Sequence, residues 1–173
     1  MSVNTVSEAA SRAPFMPSRP AHAPETRHIG LDDAPFVTVE PGFELQLLQV
    51  DLKQGLWVLR TRWAPGASVV RHYHAGPVFA VTLQGRWSYL ETPDQVNSPG
   101  SYLFEPAGSI HTLVVPQDQH GPTVAWFAIY GPNLNLSEDS QVETIVDAAG
   151  ILGVYRAGCK AMGLSSDHVI VVN

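Results

Sequence analysis

The chain holds one cysteine, three methionines and ten basic residues among its 173 positions. A single cysteine, Cys159, excludes an internal disulfide and a cysteine-type zinc site. Ten Lys and Arg against sixteen Asp and Glu leave a net charge of -6. That shortage of positive charge argues against nucleic acid as a partner, because phosphate binding needs a basic field. Long hydrophobic runs are missing too. The longest, Val124 to Tyr130, is too short to cross a bilayer, so no membrane partner is expected. The first residues show no charged-then-apolar leader, which points to the cytoplasm. Charged residues make up 15% and hydrophobic ones 45%, the balance of a globule that buries its core without covalent staples.

What the chain has in quantity is turn residues, fourteen Gly and fourteen Pro, which predict many short strands. Three zones follow. Residues 1–30 read as an N-terminal arm. Pro14, Pro17, Pro20 and Pro24 interrupt it, and proline blocks helix and removes donors. It is either a free tail or an arm laid along a sheet or a neighbouring subunit, with Phe15 and Met16 as anchors. Residues 31–135 read as a mainly β domain, a sandwich or barrel, with strands about ten residues apart; Leu56 to Trp63, rich in β-formers, is one, and the polar stretch with Pro93, Asn97 and Pro99-Gly100 reads as a loop. Residues 136–173 read as a C-terminal helical segment packed on the barrel or on a subunit partner. Glu138 and Asp139 suit a helix start, Val142, Ile145 and Val146 begin an apolar stripe, and Ile151, Leu152, Tyr155, Cys159 and Met162 continue it. Gly163 is placed to end the helix, and Val169 to Val172 to form an edge strand.

The chemistry gathers in the histidines. In His72-Tyr73-His74 the two imidazoles project to one side of a strand, because side chains alternate. His111 follows 37 residues later in Glu105-Pro106-Ala107-Gly108-Ser109-Ile110-His111-Thr112. A third imidazole from a neighbouring strand would complete a facial set on a metal. Imidazole suits iron, zinc, copper and nickel alike, so the residues alone do not choose the ion. His22, His28 and His168 lie outside this pattern, and His120 sits in a polar loop; none is expected to be a ligand.

Gly66-x5-His72-x-His74-x10-Gly85 and Gly100-x5-Pro106-x-Gly108-x2-His111 resemble the two cupin motifs. The resemblance implies a double-stranded β-helix, a small jelly-roll barrel, with metal held by His72, His74 and His111. Where cupins usually carry a metal-binding Glu this chain has Val78, and Val115 replaces the final Asn of the second motif. A three-histidine site without a carboxylate is therefore expected. In finer detail, the stretches Arg71 to Gly76 and Gly100 to Thr112 resemble small cupin dioxygenases that split a carbon–carbon bond beside a ketone. These include the β-diketone-cleaving enzymes and, as the closer likeness, the 2,4′-dihydroxyacetophenone dioxygenases. The likeness implies Fe(II) as cofactor, an aryl hydroxyketone and O2 as substrates, 4-hydroxybenzoate and formate as products, and a homo-oligomer, dimer or tetramer. Three imidazoles would leave three positions of an octahedral ion open, two for the hydroxyketone oxygens and one for O2. The alternatives are β-diketone cleavage, a metal-dependent isomerase or hydrolase, and a non-catalytic metal-binding cupin sensor. A sensor needs an output domain, which neither terminal segment resembles.

Glu105 is the one acid in the second motif, and it is the tentative catalytic residue. It would orient a ligand imidazole or accept a substrate proton; otherwise it pairs with Arg60, Arg62, Arg71 or Arg86, or faces solvent. Trp57, Trp63, Phe79, Tyr89, Phe104 and Trp126 are candidates to line an aromatic pocket, with barrel core as the competing role for each.

Overall fold

The computed structural model describes residues 25–173; most of the predicted arm, with Phe15 and Met16, lies outside them. Alternation of apolar and polar residues, with β-branched and aromatic types on the inner side, builds the strands. In chain order they are β1 (Val37–Glu40), β2 (Phe43–Asp51), β3 (Leu56–Trp63), β4 (Ser68–His74), β5 (Val78–Gln84), β6 (Trp87–Tyr89), β7 (Thr92–Asn97), β8 (Tyr102–Glu105), β9 (Ile110–Val114), β10 (Thr123–Tyr130), β11 (Asn133–Leu136), β12 (Val142–Val146) and β13 (Ile170–Val172). One helix, α1 (Ala148–Ala161), stands between the last two.

The strands form two facing sheets. The first runs β1-β2-β3-β10-β5-β8, with β13 added parallel to the end of β2. The second runs β12-β11-β4-β9-β6-β7. All other pairings are antiparallel. The inner faces meet in one core that includes Leu45, Leu47, Trp57, Leu59, Trp63, Val78, Trp87 and Phe127. Trp87 is fully buried, and its indole N–H donates to Thr82 Oγ1 at 2.9 Å. It lies near the ring of Trp63, which meets Phe127 edge-on at 5.9 Å.

Two expectations change. The predicted helix over 138–163 divides into β12 and α1. Val142, Thr144, Ile145 and Val146 are β-branched residues that fit an edge strand, and β12 pairs with β11 from Asn133↔Val146 to Leu136↔Val142. The helix starts after Asp147, whose carboxylate accepts from Gly150 N at 2.7 Å, so Glu138 and Asp139 play no part in its cap. The stretch with Pro93 and Asn97, expected as a loop, is the edge strand β7. Gly163 does end the helix. It takes φ 70°, its N–H donates to Lys160 O, and Leu164 N–H reaches Cys159 O, the pairing of a Schellman motif. Ile151, Leu152, Tyr155 and Cys159 of α1 are buried in the main core. The Tyr155 hydroxyl donates to Pro35 O at 2.7 Å.

Candidate metal centre

His72 and His74 lie on β4, and His111 lies beside them on β9, with His72 opposite His111 in the register. Strand alternation alone would put Val69 and His72 on opposite faces. One extra residue on β4 between Val69↔Leu113 and His72↔His111 corrects this; it is a bulge, which re-aims side chains. Val69, His72 and His74 therefore all line the same chamber. The end of β4 is fixed by close backbone approaches. A Cβ on Gly76 would lie 2.2 Å from Tyr130 O. Gly108, at φ 92°, turns the chain so that its N–H donates to His74 O at 2.8 Å.

The three imidazoles are buried, and one ring nitrogen of each lies within 4.8 Å of the others. His72 Nδ1 is 2.7 Å from Val70 O. A carbonyl can only accept, so Nδ1 carries the proton and Nε2 is a bare lone pair. His74 Nε2 and His111 Nε2 face each other at 3.1 Å. Burial lowers the His72 pKa from 6.5 to about 4, with the Val70 carbonyl opposing the shift and His74 and His111 adding to it. The ring is thus neutral at pH 7, the form that ligates metals. The ring of Tyr89 stacks on that of His111 with centroids 3.8 Å apart.

Glu105 is brought into this group at the end of β8. It is 3% exposed. Its Oε2 lies 2.9 Å from His74 Nε2 and 3.3 Å from His111 Nε2, without the direction of a hydrogen bond. Its Oε1 accepts a short hydrogen bond from the Tyr89 hydroxyl. Burial works to push the carboxyl up, but the adjacent His111 and His74 nitrogens outweigh it and hold it well below the usual carboxylate range. Burial, then the neighbouring Glu105 carboxylate, push the Tyr89 phenol up. The four arginines offered as partners for Glu105 bond elsewhere, to Gln46, Glu44, Ser140 and Asp118. Tyr89 was expected only as a wall residue. Its polar tie to Glu105 crosses from one sheet to the other, so no spacing in the sequence announces it.

The donor set suits a divalent ion: three buried imidazoles converge, and a buried carboxylate oxygen lies between two of them. Above them lies a chamber of about 100 Å³ lined by Phe43, Trp57, Leu59, Trp63, Phe127 and other apolar residues. A wider outer pocket of about 320 Å³, which Val39, Val146 and Val154 help to line, shares Phe43, Trp57, Leu59, Val69, His72 and Asn133 with it. Of the six aromatics proposed for the pocket, Trp57, Trp63 and Tyr89 line the inner chamber. Phe79, Phe104 and Trp126 do not: Phe79 and Trp126 pack against a separate cluster of Ala34, Leu48, Val58 and Ala128, and Phe104 is exposed beside Phe79. Phe43 and Phe127 take their place. His120 and His28 are exposed, and His168 lies 3.0 Å from the Tyr155 hydroxyl, away from the centre. His22 is outside the described residues.

Two sheets closed around histidines from both motifs make this molecule a cupin. More narrowly, the chain belongs to the family of ChrR cupin-like domains, whose model matches residues 24–131. Among solved structures it is similar to a protein of unknown function with a cupin-like fold from Ralstonia eutropha, at 30% identity and TM-score 0.80, covering 88% of this chain and 95% of that one. An RmlC-like cupin from the same organism is 24% identical, with TM-score 0.76 over 82% of this chain and 91% of that one. An acetylacetone dioxygenase from Acinetobacter johnsonii shares the fold at 20% identity and TM-score 0.69, covering 83% of this chain and 99% of that one. Comparison with curated protein sequences gives no match. Among the described residues no helix is long and apolar enough to cross a membrane.

Proposed function

We propose that this cupin is an Fe(II)-dependent dioxygenase that cleaves the carbon–carbon bond of an aryl hydroxyketone, with His72, His74 and His111 holding the iron. The proposed reaction converts 2,4′-dihydroxyacetophenone and O2 to 4-hydroxybenzoate and formate. One observation carries the reading: three buried imidazoles converge beneath a chamber walled by aromatic side chains. A bound ferrous ion supplies Lewis acidity toward the ketone and hydroxyl oxygens and the electrons for O2 chemistry. The chain's own residues do the rest. Trp57, Phe43 and Phe127 offer flat apolar surface to an aryl ring and exclude water. The carbonyl Val70 O fixes the tautomer of His72, and stacking on Tyr89 fixes the plane of His111.

Oxygen uptake tests the proposal. Iron-loaded protein given 2,4′-dihydroxyacetophenone should consume O2 and release 4-hydroxybenzoate and formate in equal amounts, read by chromatography. No uptake with a full iron complement would end the dioxygenase reading. A second reading, cleavage of an aliphatic β-diketone, draws on the small inner chamber and the shared fold of the Acinetobacter enzyme. The two separate on kcat/KM. The aryl hydroxyketone should exceed acetylacetone by more than about tenfold, and the reverse preference would select the diketone. Assembly as a dimer or tetramer in the cytoplasm belongs to the same proposal, and light scattering of the purified protein checks the oligomer.

A further inference from the structure

We propose that Glu105 is itself a metal ligand, so that the centre is a three-histidine, one-carboxylate site whose acid comes from β8 instead of from the histidine-bearing motif. The inference rests on the metal site proposed above.

Three observations converge on it. The first is a triangle of donor atoms. His74 Nε2, His111 Nε2 and Glu105 Oε2 stand 3.1, 2.9 and 3.3 Å apart. Donors bound to one ion at about 2.1 Å, at right angles to each other, are separated by about 3.0 Å. The three atoms thus outline one face of an octahedron, with His72 Nε2 left to approach from another side.

The second is the register. Val78, where cupins usually place their metal-binding Glu, is paired directly with Glu105 across β5 and β8. The two positions are cross-strand neighbours, with side chains on one face of the sheet. Val78 is fully buried and Glu105 nearly so. The carboxylate that the first motif lacks is therefore supplied at the same level of the barrel by the adjacent strand.

The third is a buried carboxylate with no permanent cation beside it. Glu105 Oε2 touches only the imidazole nitrogens of His74 and His111, at 2.9 and 3.3 Å, and no arginine or lysine reaches it among the described residues. A buried carboxylate is costly without a full countercharge, and a metal cation shared with the same two imidazoles supplies it. Tyr89 holds the other oxygen, Oε1, so Oε2 is presented alone, as a single donor.

Metal binding without substrate tests this. Apo-protein is titrated with Co(II), following affinity and the visible d–d spectrum, with circular dichroism as a check on folding. Glu105→Gln should lower Co(II) affinity by more than about 100-fold, beyond the 10–100-fold usual when only a supporting hydrogen bond is lost, and should change the shape of the spectrum. Glu105→Asp keeps the charge and is the milder change to the fold, but withdraws the carboxylate by one methylene. It should lose affinity and shift the spectrum nearly as much. Tyr89→Phe, which keeps the donor, should cost tenfold or less. If both Glu105 variants fold and keep the wild-type spectrum, Glu105 acts only through the imidazoles and the inference falls. Retained affinity in Glu105→Asp alone would also overturn it, since charge without contact would then suffice. The assay uses neither ketone nor O2, so failure to cleave aryl hydroxyketones would leave it standing. Loss of the three-histidine site itself would show separately, as His72→Ala that binds Co(II) like the wild type.

Discussion

Two neighbourhoods of the barrel interior, joined by one side chain, are built on opposite principles. Around Trp87 the rings of Trp63, Phe127 and Tyr89 pack at 5.3 to 6.5 Å, and the Trp87 indole N–H is satisfied by Thr82, the Trp63 indole N–H being the one group there without a partner. Around His111 the rings of His72 and His74 stand 4.9 and 5.0 Å away, and polar atoms are left without partners. Tyr89 belongs to both. Its ring meets Trp87 on one side and His111 on the other, and its hydroxyl serves Glu105. The first neighbourhood gains stability from apolar burial, and the second holds unsatisfied donors at a stability cost. Unmet polar groups in a well-packed barrel mark the place where a ligand completes the structure.

Substitutions on either side break the comparison in different currencies. His111→Ala should abolish most iron binding and nearly all turnover while the circular dichroism of the barrel stays unchanged; metal analysis of the purified variant reads this. His120→Ala, in the exposed loop, is its silent partner. Trp87→Ala should do the reverse. It should cost about 3–5 kcal/mol of stability, measured by chemical unfolding, while the variant that remains folded still takes up metal.

Acid should separate the two neighbourhoods without mutation. The buried His72 has its pKa lowered from 6.5 to about 4, so the unfolded chain binds its proton more readily than the native one. Its stability contribution is complete above pH 6.5 and is lost as pH falls toward 4, by about 3 kcal/mol in the metal-free protein. Glu105 acts in the same direction at lower pH: its carboxyl is held below the usual range, so its contribution fades as pH drops beneath about 4.5. Unfolding of apo-protein at pH 7.5 and 4.5 measures the first part, and His72→Gln should flatten it. The smallest effect belongs outside the barrel. Phe104→Ala should cost about 1 kcal/mol or less and leave kcat/KM unchanged, since the ring is half exposed.

The histidine centre was legible because two short motifs state it, and the strand Leu56–Trp63 was legible from its residue types. Other elements were hidden for identifiable reasons. Thr92–Asn97 is polar and exposed along most of its length, so an edge strand there leaves no apolar period to find. Val142, Ile145 and Val146 fit a helical stripe and a short strand equally well, and only their β-branching favoured the strand that forms. Strand parity was available for Phe79: with Val78 in the core, its neighbour must face the other way, as it does. Parity fails at the bulge before His72, because one extra residue resets the alternation, and nothing in Val69-Val70-Arg71 marks it. The pairing of Glu105 with Val78 is a matter of register between strands far apart in sequence, which the motifs do not specify.

The placement of the tryptophans gives the protein an optical reporter. Of its four, Trp57 and Trp63 line the chamber and Trp87 is packed against Trp63, whereas Trp126 lies with the separate outer cluster. An open-shell ion arriving among the imidazoles quenches excited indoles close to it and spares the distant one. Intrinsic emission should therefore fall on loading with Fe(II) or Co(II), stay constant with closed-shell Zn(II), and retain a residual component that Trp126→Phe removes. The same side chains that wall the chamber make its occupancy visible in a fluorimeter, with no added label.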